Sequence, residues 1–143
     1  MSPAASTPLR VLVYSDDKTV RESVRLLLGQ RPAPELPAIE YVECATEPVV
    51  ISAMDAGRVD LAILDGEATP AGGMGIARQL KSEIYRCPPI LVLIARPQDA
   101  WLAKWSLADE AVLMPPDPLE FPETVAALLR GRLAPVPQSA TAG

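Results

Sequence analysis

At residues 59–67 the chain reads Val59-Asp60-Leu61-Ala62-Ile63-Leu64-Asp65-Gly66-Glu67, an apolar run that ends abruptly on a carboxylate. An apolar run of this length is typical of a strand that is buried on both faces of a parallel sheet. Ligands of such sheets bind beyond the carboxyl ends of the strands, where Asp65 would lie. Since Asp-Gly is also a common turn pair, Asp65 by itself fits a ligand-binding acid and a turn residue equally well.

The composition predicts one globular domain that is large enough to bury a hydrophobic core. Of the 143 residues, 49% are hydrophobic and 22% are charged. The net charge of −5 and the pI near 4.7 argue against nucleic acid as a partner, because no run of Lys and Arg could follow a phosphate backbone. No apolar stretch has the length of a membrane span and the N-terminus lacks a signal-peptide pattern, so we expect a cytoplasmic protein.

Histidine is missing from the chain, and the two cysteines are isolated at positions 44 and 87. The missing histidine excludes histidine-based acid–base chemistry and argues against zinc or haem ligation. Two isolated cysteines are too few for a disulfide framework, so Cys44 and Cys87 are expected to be reduced thiols.

Five apolar segments alternate with five helical patterns. Strands are predicted at 9–14, 39–45, 59–65, 90–95 and 111–114, and helices at 19–28, 46–57, 76–86, 97–108 and from 119 onward. This alternation predicts an α/β domain at 9–133, between a flexible N-terminal arm (1–8) and a disordered tail (134–143). Short right-handed crossovers favour the flavodoxin-like (βα)5 three-layer sandwich, whose parallel five-stranded sheet has the order 2-1-3-4-5.

In that order the first and third strands are neighbours, so Asp16 and Asp65 are expected at the same rim of the sheet. This placement favours the ligand-binding interpretation of Asp65 over the turn. The segment Gly72-Gly73-Met74-Gly75 lacks the Lys-Ser/Thr of a nucleotide-binding P-loop and is expected to form part of a flexible loop over 68–75. Asp65-Gly66-Glu67 has only a faint similarity to the Asp-x-Asp of phosphatases that form aspartyl phosphates.

Several landmarks occur together in the order of one known family. They are the strand-end pair Ser15-Asp16, the acid that closes the third strand, Pro70 with Gly75 before a helix, and Met114-Pro115-Pro116-Asp117-Pro118 after the last strand. Over roughly residues 9–130 the chain thereby resembles the receiver domain of bacterial response regulators. The resemblance implies that Asp65 accepts a phosphoryl group from a histidine kinase. It also implies a Mg²⁺ site formed by Asp16, Asp65 and the backbone carbonyl of Glu67.

Three positions depart from the pattern of that family. Ser15 replaces the first acid, Ile94 replaces the hydroxyl residue that ends the fourth strand, and Met114 replaces the lysine that ends the fifth. Met114 offers neither charge nor donor, whereas a charge-assisted hydrogen bond is worth about 1.5–3 kcal/mol. We therefore expect Mg²⁺ to bind weakly or not at all, and phosphotransfer to be poor or absent.

Two tryptophans lie four residues apart on the fourth predicted helix. Trp101 is expected to pack into the core. Trp105 is expected to lie partly exposed, with Lys104 beside it, on the face that receivers commonly use for dimers and partners. Ala111 of the last strand belongs to the same candidate interface. The resemblance also implies a cis peptide bond between Met114 and Pro115.

These features predict an atypical, stand-alone receiver that acts in signal transduction by protein–protein interaction and independently of phosphorylation. The alternative is a phosphoaccepting receiver of a two-component phosphorelay that uses Asp65 and Mg²⁺. The chain is not expected to be an enzyme, beyond autophosphorylation on Asp65 at most. The sequence leaves the partner open among a histidine kinase, a non-kinase target and a second copy in a homodimer.

Overall fold

The apolar run that ends on Asp65 forms β3 (Leu61–Asp65), the central strand of a five-stranded sheet. Every residue of β3 and of its neighbour β4 (Ile90–Ile94) is buried, as expected for strands that are covered on both faces. The computed structural model describes residues 7–134. Apart from residues 7, 8 and 134, the predicted arm (1–8) and tail (134–143) lie outside the described residues.

Helices and strands alternate along the chain. The other strands are β1 (Leu9–Tyr14), β2 (Ile39–Cys44) and β5 (Glu110–Leu113), and the helices are α1 (Lys18–Leu28), α2 (Glu47–Asp55), α3 (Gly73–Glu83), α4 (Ala100–Trp105, after a 3₁₀ turn at Pro97–Asp99) and α5 (Glu120–Leu133). All four strand pairs are parallel, and the order is β2-β1-β3-β4-β5. The predicted fold class and strand order are therefore confirmed.

Two apolar layers cover the sheet, because side chains of successive strand residues point to opposite faces. One layer packs α2, α3 and α4 against residues such as Leu12, Leu64 and Val92. The other packs α1 and α5 against the intervening residues, such as Val13 and Ile63. Both faces of the central strands are thus apolar, and their polar residues are confined to the strand ends.

Helix α1 is one residue longer than the predicted 19–28, and both of its ends are capped. Asp17 is the N-cap, and its Oδ1 accepts a hydrogen bond from the backbone amide of Thr19 at 2.9 Å. Gly29 ends the helix with a positive φ of 63°, and its amide bonds the carbonyl of Arg25. Thr46 occupies the N-cap position of α2, but its side chain makes no capping hydrogen bond.

The prediction that Trp101 packs into the core is wrong, because its side chain is 67% exposed. Helix α4 is shorter than predicted, and the small residue Ala103 is the one that it buries against the sheet. Trp105 is 49% exposed, so its predicted partial exposure is confirmed. The guanidinium of Arg78 on α3 stacks over the Trp105 ring at 4.7 Å and donates a hydrogen bond to the Trp105 carbonyl at 2.5 Å.

The predicted flexible loop at 68–75 is also partly wrong, because α3 already begins at Gly73. Two other expectations are confirmed: the Met114–Pro115 bond is cis, and Cys44 and Cys87 are free thiols. Burial raises the pKa of the Cys44 thiol to about 11, which keeps it protonated at neutral pH. None of the helices within residues 7–134 is long and apolar enough to cross a membrane.

Replacing Asp17 by Ala should lower the free energy of unfolding by about 1 kcal/mol, because the amide of Thr19 loses its acceptor. Asp17→Asn should remain close to the parent, since Asn caps helices equally well. Thr46→Ala is the matched control, because that N-cap makes no side-chain hydrogen bond. Urea unfolding followed by circular dichroism measures all three. An equal loss for Asp17→Ala and Thr46→Ala would contradict the capping role of Asp17.

Candidate functional site

The loops that follow β1 and β3 meet at the carboxyl rim of the sheet, because these two strands are neighbours. Asp65 closes β3 and is only 4% exposed. The hydroxyl of Ser15, which is fully buried, donates to Asp65 Oδ2 at 2.8 Å. The backbone amide of Glu67 donates to Oδ1 at the same distance. Each oxygen of this buried carboxylate therefore has a donor within the protein, as a buried acid requires.

The direction of the Ser15 hydroxyl is fixed by its second contact. The backbone amide of Asp17 donates to Ser15 Oγ at 3.0 Å. Because Oγ accepts there, its single proton is available for Asp65. The same short segment thus caps α1 through the Asp17 carboxylate and secures Asp65 through Ser15.

Asp16 lies at the same rim, but it is exposed and has a different partner. The amide of Thr69 donates to Asp16 Oδ1 at 3.2 Å, and the Thr69 hydroxyl donates to Oδ2 at 3.3 Å. Asp16 therefore lies on the loop after β1 and Asp65 at the end of the neighbouring strand β3, at the same rim of the sheet. The side chain that bonds Asp65 directly is Ser15, so the position where the family has a metal-binding acid here supplies a hydrogen-bond donor.

Two glycines allow the segment after Asp65 to pack against neighbouring backbone. A Cβ atom on Gly66 would lie 2.7 Å from the carbonyl oxygen of Leu93, and one on Gly73 would lie 2.8 Å from the carbonyl oxygen of Asp65. Both distances are too short for a side chain. The glycine-rich segment therefore brings the start of α3 close to the Asp65 backbone.

Two of the three positions that depart from the family pattern are apolar and pack against the core. Ile94 ends β4 and is 4% exposed within the core layer of α2, α3 and α4. Met114 follows β5 and packs, half-buried, against the core layer of α1 and α5. Neither side chain can donate a hydrogen bond or supply a charge at the rim.

Two arginines near the rim are bound to other groups. Arg21 Nη1 donates to the backbone carbonyl of Ser15, which follows β1, at 2.6 Å. The Nε of Arg21 pairs with Glu43 at 3.1 Å. Arg96 follows β4, and its hydrogen bonds to Asp99 are the main cause that raises the pKa of its guanidinium. Within residues 7–134 neither arginine forms a hydrogen bond or ion pair with Asp65.

The residues of this rim fit a Mg²⁺ ion poorly. Both oxygens of Asp65 already accept hydrogen bonds, and the Asp16 carboxylate is held by Thr69. Within residues 7–134 no group of three or more His, Cys, Asp or Glu side chains is arranged to hold a metal ion. The predicted site uses only two carboxylates, Asp16 and Asp65, with the carbonyl of Glu67. Weak Mg²⁺ binding by that set stays a prediction.

The candidate interface residues lie on two adjoining elements, α4 and β5. Lys104 and Trp105 are exposed at the end of α4, and Ala111 is half-buried on β5. Trp101 is a second exposed ring on α4, and the apolar character of tryptophan alone does not distinguish an exposed ring from a core residue.

Sequence reasoning missed two residues of the rim, Thr69 and Arg21. Thr69 contacts Asp16 from 53 positions away, and no local pattern signals such a contact. Arg21 lies on α1, and its side chain is only 15% exposed because it reaches the Ser15 carbonyl and Glu43. Its position six residues after Ser15, on the first turns of the helix, is the one available signal.

Curated relatives of the chain occur in Mycobacterium tuberculosis. An uncharacterized response regulatory protein of strain H37Rv is 60% identical over 128 residues, which cover 90% of this chain and 96% of that protein. A protein of the same description from strain CDC 1551 matches to the same extent. No family model matches the chain.

Solved structures with the same fold include response regulators of low sequence identity. The receiver domain of a Francisella response regulator has a TM-score of 0.72 at 16% identity and covers 87% of this chain and 98% of that chain. A two-component response regulator from Clostridium difficile has a TM-score of 0.72 at 18% identity, with coverages of 88% and 99%. At these identities the likeness concerns the fold, and it confirms the predicted flavodoxin-like architecture.

Replacing Ser15 by Ala should lower the free energy of unfolding by about 1–3 kcal/mol, because Asp65 loses one buried hydrogen-bond donor. Ser23 on the exposed side of α1 offers a matched control, and Ser23→Ala should change stability by less than about 0.5 kcal/mol. Chemical denaturation at neutral pH measures both. Equal stability of Ser15→Ala and the parent would show that the hydroxyl does not hold Asp65.

Proposed function

We propose that this chain, which belongs to the response regulator family, transmits its signal by protein–protein interaction and without phosphorylation of Asp65. One observation carries the proposal: the Asp65 carboxylate is buried and both of its oxygens are already hydrogen-bonded within the protein. A phosphoacceptor must present one carboxylate oxygen to its donor. At this rim the Asp65 side chain is only 4% exposed and Oδ2 accepts a hydrogen bond from the Ser15 hydroxyl, so a phosphodonor has little access to this oxygen.

The surroundings of Asp65 also lack the groups that would stabilise a phosphoryl group. A phosphorylated aspartate adds negative charge, and in a buried position that charge needs cationic or hydrogen-bonding partners. The family positions that would supply them hold Ile94 and Met114, whose side chains belong to the two core layers. These replacements support an interaction module over a phosphoryl switch.

The alternative function keeps the chemistry of the family. The position of Asp65 at the end of β3, with Asp16 on the adjoining loop, favours a phosphoaccepting receiver of a two-component phosphorelay. In this alternative, Mg²⁺ would be held by Asp16, Asp65 and the Glu67 carbonyl, and a histidine kinase would be the partner. Enzymatic activity would be limited to autophosphorylation on Asp65.

The partner surface that we propose is the face formed by α4, β5 and α5. Its apolar exposed residues include Trp101, Trp105 and Leu113, which are 67%, 49% and 44% exposed. Exposed aromatic residues of this kind are typical of interfaces. A non-kinase target, a histidine kinase and a second copy are the candidate partners, and a cytoplasmic location stays a prediction.

Beryllium fluoride with Mg²⁺, a mimic of the phosphoryl group, should leave the tryptophan fluorescence of the parent chain unchanged. Trp101 and Trp105 both lie on α4 and would report a displacement of that helix. Asp65→Asn is the matched control, because it removes the candidate acceptor and should give the same flat titration. A saturable change in the parent that is lost in Asp65→Asn would favour the phosphoaccepting alternative.

The triple variant Ser15→Asp, Ile94→Thr, Met114→Lys should bind Mg²⁺ and accept a phosphoryl group, whereas the parent should not accept one. It restores the family's acid, hydroxyl and lysine, so Mg²⁺ should bind about tenfold or more tightly than to the parent. Isothermal titration calorimetry measures the Mg²⁺ affinity, and incubation with a small phosphodonor measures phosphorylation of Asp65. Labelling of the parent itself, abolished by Asp65→Asn, would overturn the proposed function.

A further inference from the structure

Strand β5 is at one edge of the sheet. It pairs with β4 and, within residues 7–134, with no other strand. The outer edge of such a strand presents backbone amide and carbonyl groups that an extended segment of another chain can pair. A groove between this edge and α5 gives such a segment room to lie.

The groove consists of two adjoining cavities of about 400 and 450 Å³. Glu110, Glu120 and Thr124 line both cavities, which makes them one continuous feature. From β5, Leu113 contributes a 44% exposed apolar side chain at one end. From α5, residues spaced three or four apart face the strand, as one side of a helix does.

The lining of this groove is acidic. It contains four carboxylates and no Lys or Arg, and we call it the acidic groove: Glu110, Asp117, Glu120 and Glu123. Three of these, Glu110, Glu120 and Glu123, are exposed and form no salt bridge with any residue of the described chain. Their negative charge is therefore uncompensated beside an open strand edge.

Asp117 has a different role from the other three acids. Its Oδ1 accepts hydrogen bonds from the amides of Leu119 and Glu120, at 2.8 and 2.9 Å. These backbone hydrogen bonds lower the pKa of Asp117, so its charge persists at mildly acidic pH. Asp117 thus adds fixed negative charge to the groove, while its hydrogen bonds secure the start of α5.

Charge complementarity selects the occupant. The terminal segments of this chain, residues 1–6 and 135–143, contain no Lys or Arg. A second copy that approached through the same face would bring an identical set of carboxylates against these, because a two-fold interface is self-complementary. A terminal segment of the chain would place neutral groups against the carboxylates, and a second copy would place carboxylates against them. A basic segment of another protein would instead neutralise the groove.

We propose that the acidic groove binds an extended, basic segment of a partner protein, which adds a sixth strand beside β5. The inference rests on the proposed function, and it names the chemistry of the partner that this face accepts. An extended segment projects successive side chains to opposite sides. Basic residues at alternate positions would therefore reach Glu120 and Glu123 on α5, while its backbone pairs with β5.

The test uses the full chain and a fluorescein-labelled peptide of about six residues that alternates Val and Lys, a usual strand length. A peptide with Glu in place of Lys is the charge control. We expect saturable binding of the basic peptide alone, measured by fluorescence anisotropy, and slower hydrogen exchange of the amides of Glu110–Leu113. Raising the salt concentration should weaken the binding.

The triple variant Glu110→Gln, Glu120→Gln, Glu123→Gln should weaken binding roughly tenfold, because three exposed charge pairs are lost. Its matched control is Glu22→Gln, Asp55→Asn, Glu83→Gln, which removes the same charge from exposed positions elsewhere and should bind as the parent does. Circular dichroism establishes that both variants fold. Equal weakening in both, or exchange protection away from β5, would overturn the proposal.

Two further outcomes separate this proposal from the proposed function. Absence of peptide binding, or a dimer that protects β5 without peptide, would overturn the acidic groove as a partner site and leave the tryptophan titration as the test of phosphorylation independence. Peptide binding that requires Mg²⁺ and beryllium fluoride would support the groove while overturning phosphorylation independence.

Discussion

A buried carboxylate needs hydrogen-bond donors, and the way in which Asp65 finds them shapes the whole rim of the sheet. Because β3 is covered on both faces, its last residue ends among apolar groups, where an unpaired acid would be costly. Strand β1 is the neighbour of β3, so the residue that can reach Asp65 is the one that follows β1, Ser15. The amide of Glu67 supplies the second donor from the turn that Gly66 and Gly73 allow to close.

Much of the fold could be predicted because it follows from patterns of local sequence. The apolar runs of β3 and β4 predict central strands, and the alternation of strands and helices predicts the sheet order. The candidate site was predictable only to the level of the rim. That Asp65 is bonded by Ser15, and Asp16 by Thr69, depends on the paths of two loops, which periodicity does not specify.

The errors have the same physical origin. Trp101 has a large apolar side chain that is typical of a core residue, but the short α4 approaches the sheet through Ala103 and leaves the ring in solvent. Glycine is typical of loops, but the missing side chain of Gly73 is what lets α3 start against the Asp65 backbone. In both cases the neighbour decides the role of the residue, and the neighbour is distant in sequence.

The acidic residues have different partners at the carboxyl rim of the sheet and along its β5 edge. At the carboxyl rim, acids are balanced by hydroxyl and amide donors, and the nearby Arg21 is paired with Glu43. Along β5 and α5, acids such as Glu110 and Glu123 have no such partners among the described residues. The Asp65 carboxylate thus has its donors within the protein, while the exposed acids of the proposed partner face have no ion-pair partner among the described residues.

The contact between Arg78 and Trp105 has a mechanical consequence. A stacked cation and a hydrogen bond tie the last residue of α4 to the middle of α3, whereas the first turn of α4 is preceded by the exposed segment that contains Arg96. A helix that is held by contacts at one end can rotate about that end but cannot easily translate along its axis. Any displacement of α4 would therefore be a pivot about Trp105, with its largest amplitude in the first turn, which carries the 67% exposed ring of Trp101.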